Sequence, residues 1–181
     1  MGLGKTCSKC DRPARSLGLC RICYNKQYNA NRQAFVIGPM CGVNRITSEP
    51  PQHLECAEYA AKACPFLTRP MATRNNRDLP EDATAAGIMI ARNPGVTLIW
   101  STKKITPFKV SNGYLFKLGD PTCLSFWCKG RAATRAEALE SVNTGLPTLR
   151  SYAERDGPEG VAQLEVMIAA FMPLLPPEDP K

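Results

Sequence analysis

Two Cys-x2-Cys pairs, Cys7–Cys10 and Cys20–Cys23, stand nine residues apart near the start of a 181-residue chain. No other feature constrains the fold as strongly. Two such pairs can offer four thiolates from two tight turns, the donor set of a tetrahedral zinc site. The chain holds nine cysteines in all and one histidine, His53. Disulfides account for them poorly, because an odd number cannot all pair. The first 30 residues also mix Cys, Lys, Arg and Asn where a secretory signal would carry an apolar run. The longest nearly apolar stretch, Val166–Leu175, is ten residues with a proline in it, against about 18 for a bilayer span. The expectation is a cytoplasmic chain with reduced thiols, bound metal and no membrane association.

Positive charge travels with the cysteines. Residues 1–80 hold 12 Lys and Arg against 5 Asp and Glu, whereas residues 81–181 hold 11 of each. The whole net charge of +7 therefore lies in the first part, together with seven cysteines and the histidine. This composition divides the chain into a basic zinc-binding module, 1–80, and a small α+β unit, 81–181, whose Pro-rich tail 176–181 is expected to be disordered. Within the module Arg12, Arg15, Arg21, Lys26, Arg32, Arg45, Arg69, Arg74 and Arg77 suit phosphate contacts, and Tyr24, Tyr28 and Phe35 lie between them for base stacking. A merely solubilising basic surface is the plain alternative.

A second candidate ligand group is Cys41, His53, Cys56 and Cys64. Ser48 as N-cap, with Pro50 and Pro51 in the first turn, predicts a helix over residues 53–62, which puts His53, Cys56 and Cys64 on one side. Cys64 is nearly three turns from His53, about 16 Å along an ideal axis, and Pro65 favours an earlier helix end. Two pairings stay open. Either Cys7, Cys10, Cys20 and Cys23 hold one zinc and Cys41, His53, Cys56 and Cys64 a second, or Cys20 and Cys23 form a knuckle that His53 and Cys56 complete from a helix N-terminus. In the second, treble-clef-like pairing, residues 34–46 form a hairpin and Cys7 and Cys10 pair with Cys41 or Cys64. Shorter loop closure favours the first pairing. One or two zinc ions are expected.

Residues 81–181 read as an antiparallel meander followed by three helices. Short β-branched or aromatic runs at 88–90, 96–101, 105–110, 114–118 and 123–128 are separated by turn residues, and Asn112-Gly113 is a favoured hairpin dipeptide. Thr134 and Glu137 form a capping-box pattern, so a helix is expected over 135–144, ended by Gly145. Pro147 and Pro158 can open two more, the last with Val161, Leu164, Ile168, Phe171 and Leu175 as its buried stripe. Cys123 and Cys128 point to opposite strand faces and suit packing.

The segment Cys10-Asp11-Arg12-Pro13-Ala14-Arg15 with Gly18-Leu19-Cys20-Arg21-Ile22-Cys23-Tyr24 resembles the small zinc fingers attached to phage and bacterial HNH endonucleases, in which the last ligand is commonly a histidine rather than the Cys23 found here. Residues 34–70, with Gly38-Pro39-Met40-Cys41, Ser48-Glu49-Pro50-Pro51, Cys56-Ala57-Glu58-Tyr59 and Cys64-Pro65-Phe66-Leu67, resemble uncharacterised proteins of phage and bacterial genomes, and the similarity runs on through Gly145-Leu146-Pro147. The resemblance brings no activity. It implies a phage or prophage origin and hence a host cytoplasm.

The chemistry of catalysis is thin. Gly4-Lys5-Thr6 lacks the earlier glycine and preceding strand of a phosphate loop, no carboxylate pair is spaced for acid–base work, and no catalytic residue is assigned. A cysteine nucleophile would need His53 as its base. The sequence thus predicts an α+β nucleic-acid-binding protein with structural zinc, its partner DNA before RNA. The alternatives are a phage factor that captures a host protein, and a nuclease or nucleic-acid-modifying enzyme.

Overall fold

Strand β4, Thr97–Ser101, is the middle strand of the main sheet and is buried along its whole length. The computed structural model describes residues 18–26, 33–70, 72, 93–111 and 113–178. Around β4 an antiparallel five-stranded sheet runs in the order β3-β1-β4-β7-β8. Its other members are β1 (Gln33–Ile37), β3 (Gln52–His53), β7 (Cys123–Cys128) and β8 (Arg131–Ala132). Because β1 and β3 precede Pro80 and the other three follow it, the sheet joins residues from both compositional halves. The expected strand at 88–90 lies outside the described residues.

Alternation along the central strands divides the sheet into two faces. One carries Phe35, Ile37, Leu98, Trp100, Phe126 and Cys128 and packs on α1 (Pro39–Asn44), α4 (Arg135–Arg155) and α5 (Pro158–Phe171), which bring Met40, Val43, Val142, Leu146, Leu164 and Phe171 into the same core. The other carries Ala34 and Ile99 and packs on Ala57 and Ala61 of α2, Leu54–Ala63. Small residues on both sides let α2 lie close to the sheet. Gly42 serves the first face in the same way: a Cβ there would stand 2.8 Å from the Phe171 ring and 2.9 Å from Leu98 Cδ2.

Three expectations for the second half need correction. The strands are not one meander. β5 (Ile105–Val110) and β6 (Gly113–Leu118) form a hairpin that leaves the main sheet and pairs instead with β2, Ile46–Thr47. Val110 pairs with Gly113, so Gly113 is the first residue of β6 rather than part of the turn. The helices after Thr134 number two, not three, and a short 3-10 turn, Met172–Leu174, follows them. Gly145 does not end a helix. It is buried inside the 21-residue α4, where a Cβ would fall 2.7 Å from Met40 Sδ. Pro147 is tolerated in the same helix because it is exposed, and the carbonyl it leaves unpaired belongs to exposed Asn143, open to water. The capping box at the start of α4 is present, with Glu137 N–H donating to Thr134 Oγ1 at 3.2 Å and Thr134 N–H donating to Glu137 Oε2 at 3.0 Å.

Among the described residues no helix is long and apolar enough to cross a membrane.

Candidate metal centre

The chain from Gly18 to Lys26 is a tight loop closed by its own backbone. Leu19 and Lys26 form an isolated antiparallel bridge, Cys20 N–H donates to Asn25 O at 2.8 Å, and Tyr24 N–H donates to Cys20 O at 2.9 Å. Such a turn needs a residue in the left-handed region, and Tyr24 takes it, with φ 58°. Cys20 and Cys23 project from this loop. Arg21 is ion-paired with Glu49, tying the loop to the segment that enters β3.

His53 and Cys56 come from the start of α2. The helix begins later than expected, at Leu54, with His53 as its N-cap, because residues 52–53 are drawn into the sheet by pairing Gln52 with Ala34 and His53 with Gln33. Ser48, Pro50 and Pro51 therefore precede β3, and His53 rather than Ser48 is the N-cap. The expected hairpin over residues 34–46 is absent for a related reason: β1 pairs with β3 and β4, whereas β2 pairs with β6. Since Leu54 is the first helical residue, Cys56 occupies the first turn of the helix.

The two pieces meet in one cluster. The ligand atoms of Cys20, Cys23, His53 and Cys56 all lie within 4.8 Å of one another. His53 Nδ1 is 3.4 Å from Cys23 Sγ and 3.9 Å from Cys56 Sγ. Ligands on a tetrahedral zinc are about 3.5 to 3.8 Å apart, given Zn–S and Zn–N bonds of about 2.3 and 2.0 Å. The other ring nitrogen, Nε2, lies 3.2 Å from the Lys26 carbonyl, which can only accept, so Nε2 carries the proton and Nδ1 presents a lone pair. This group could hold a metal ion.

Electrostatics fit that use. Burial opposes a charge on Cys20, but the backbone N–H groups of Cys23, His53 and Ile22 outweigh it and hold the thiol below its ordinary value. The His53 N–H lies 3.5 Å from Cys20 Sγ. Burial, with the Cys20 and Cys23 sulfurs adding to it, pushes Cys56 up to about 12. Three thiolates cannot share so small a volume alone, and a divalent cation at their centre reverses that repulsion.

Of the proposed ligands, then, Cys20, Cys23, His53 and Cys56 come together as in the second of the two pairings. Cys41 does not join them: it lies on α1 and packs against the core on the opposite sheet face. Cys64 caps the far end of α2, eight residues beyond Cys56 and about 12 Å along the axis. Pro65 does end that helix, as Cys64 is extended, and then opens the single turn α3, Pro65–Thr68. Cys7 and Cys10 lie outside the described residues, as do Arg12, Arg15, Arg32, Arg74, Arg77 and Tyr28.

The remaining basic residues divide by environment. Arg21 is held by Glu49, and Arg45 by Asp120 at 2.6 Å, with its guanidinium 5.7 Å from the Trp100 ring centre. Lys26 and Arg69 are exposed. Phe35 is fully buried, beside Trp100 on the neighbouring strand and against the Phe116 ring, and is closed to any base, whereas Tyr24 is 53% exposed. The contribution of Lys26 through its carbonyl is a role that side-chain chemistry alone could not signal. Comparison with known protein families, with curated proteins and with solved structures returns no match for this chain.

Proposed function

We propose that zinc fills the Cys20–Cys23–His53–Cys56 group as a zinc-finger-like structural ion, and that the protein binds nucleic acid, DNA before RNA, in a regulatory or accessory capacity. The observation that carries this is the closed donor set. Four protein ligands leave no position for water, which suits a structural ion rather than a Lewis acid. Zinc is the ion for it, because three sulfurs and an imidazole in tetrahedral spacing match its preferences. The ion then clamps a basic loop against a sheet, and the surplus charge of residues 1–80 offers a surface for phosphates. The resemblance to phage proteins makes a host cytoplasm the expected setting.

Titrating the zinc-loaded chain against labelled duplex DNA, single-stranded DNA and RNA at several salt concentrations tests the reading. Affinity should fall steeply with salt. A flat response, or no binding at low salt, overturns it. Recovery of one stoichiometric protein from nuclease-treated host lysate, with no affinity for nucleic acid, replaces it with protein capture.

A further inference from the structure

We propose that the β5–β6 hairpin binds single-stranded nucleic acid, stacking bases on Phe108 and Tyr114 while Lys103, Lys104, Lys109 and Lys117 meet the phosphates. The inference rests on the nucleic-acid-binding reading above and assigns it to a part of the chain that bulk charge does not mark. Residues 81–181 are neutral in total, yet residues 103–119 contain four lysines and no acidic residue. All four lysines are exposed, and none has an ion-pair partner among the described residues. Arg21, Arg45, Arg131 and Arg150, by contrast, each hold a carboxylate.

The hairpin is built to stand away from the core. Its base is fixed, with Ile105, Phe116 and Leu118 packed on the main cluster, Leu118 N–H donating to Arg45 O, and Gly119 N–H donating to Lys104 O, each at 2.8 Å. Toward the tip the side chains open to solvent: Phe108 is 36% and Tyr114 50% exposed. Register sets what accompanies them. Lys109 is directly opposite Tyr114, and on the other face the Phe108–Leu115 pair is the next pair on that face to Thr106–Lys117. Each aromatic side chain thus has an ammonium group on its own face.

Edge protection is the plain explanation of such a strand. β5 is an edge, and both Pro107 and Lys109 discourage pairing with another chain. That purpose does not call for two exposed aromatic rings, which work against it. Ring faces and unpaired cations together match what unstacked bases and phosphates require, whereas a duplex keeps its base faces covered.

Fluorescence anisotropy with a labelled oligodeoxythymidylate and the zinc-loaded full chain tests the assignment. Replacing Phe108 and Tyr114 together by Ala should weaken binding about tenfold or more. Changing Lys109 and Lys117 together to Ala should weaken it and flatten the salt slope by about 1.4. A Tyr114→Trp chain, which keeps a stacking face, should bind like the parent and guards against loss by misfolding. Unchanged affinity and slope in both double variants, while the parent binds, overturn the hairpin assignment and leave the broader reading standing. A parent that binds no nucleic acid overturns both. Duplex preferred over single strand, or variants that change only self-association in sedimentation, also overturn the assignment.

Discussion

The two faces of the main sheet are stabilised by different physics. On one, Trp100, Leu98, Phe35 and Phe126 meet side chains from three helices, and large apolar groups leave water. On the other, the buried cluster is Ala34, Ala57, Ala61 and Ile99. Alanines contribute little transfer free energy beside Trp, Phe and Leu, and the larger residues that join them, Val36, Leu54 and Trp127, are only partly buried, so α2 has the weaker apolar hold. Cys20 is the only residue from 18–26 in the buried core. The knuckle lies on this weaker side. Four candidate ligands gathered within 4.8 Å could supply, through a bound ion, what burial does not. On the zinc reading proposed above, one side of the sheet depends on buried area and the other on coordination.

If zinc fills the cluster as proposed, removing it should separate the two sides most sharply. Structural zinc contributes about 10–16 kcal/mol in small peptides, so chelation, or Cys56→Ser, should strip residues 18–26 and the start of α2 of amide protection. β4 should keep its slow exchange. Simultaneous collapse of β4 under hydrogen exchange would show that the faces are not independent. The converse change, Trp100→Ala, should cost about 3–5 kcal/mol in denaturant unfolding. A comparable loss from Ala57→Gly would erase the asymmetry.

Gly42→Val sharpens the account of the apolar face, where the added branches would meet Phe171 and Leu98. The expected loss is about 1–3 kcal/mol in urea melts, with zinc content unchanged. At the start of α4, the Arg131 guanidinium first, then the Thr134 N–H, hold Glu137 at about 2, below its ordinary 4.5. A carboxylate lowered in the folded state stabilises at pH above 4.5, and that contribution disappears as pH falls from 4.5 toward 2. Glu137→Gln should lower stability at pH 7 by about 1 kcal/mol and flatten that acid limb. The smallest effect belongs to Tyr24→Gly: relieving its φ of 58° should raise stability by about 1 kcal/mol or less, seen as a small rise in the melting temperature of the zinc-loaded protein.

The elements that local rules govern were legible beforehand. Strand runs 105–110 and 123–128, the Thr134 capping box and the start of a helix at Pro158 follow from propensity and capping over a few residues. The readings that failed involve distant partners. Gly145 and Pro147 look like helix punctuation, yet Met40 claims the space beside Gly145, and solvent takes the carbonyl that Pro147 orphans. Phe35 looks available for stacking until β1 is placed beside β4, with Phe35 opposite Trp100 on the buried face.

For the metal centre, residue type and short spacing were enough to single out Cys20–Cys23 and His53–Cys56 as ligand pairs, because two residues between ligands suits a turn or the first turn of a helix. Which pair meets which was decided by the sheet. Pairing of β3 with β1 sets His53 at the helix start, packing of α2 on Ala34 and Ile99 turns Cys56 toward the knuckle, and α1 carries Cys41 to the other face. Donor chemistry is a property of each side chain and is written in the sequence. Convergence is a property of strand order, which depends on contacts between residues dozens of positions apart.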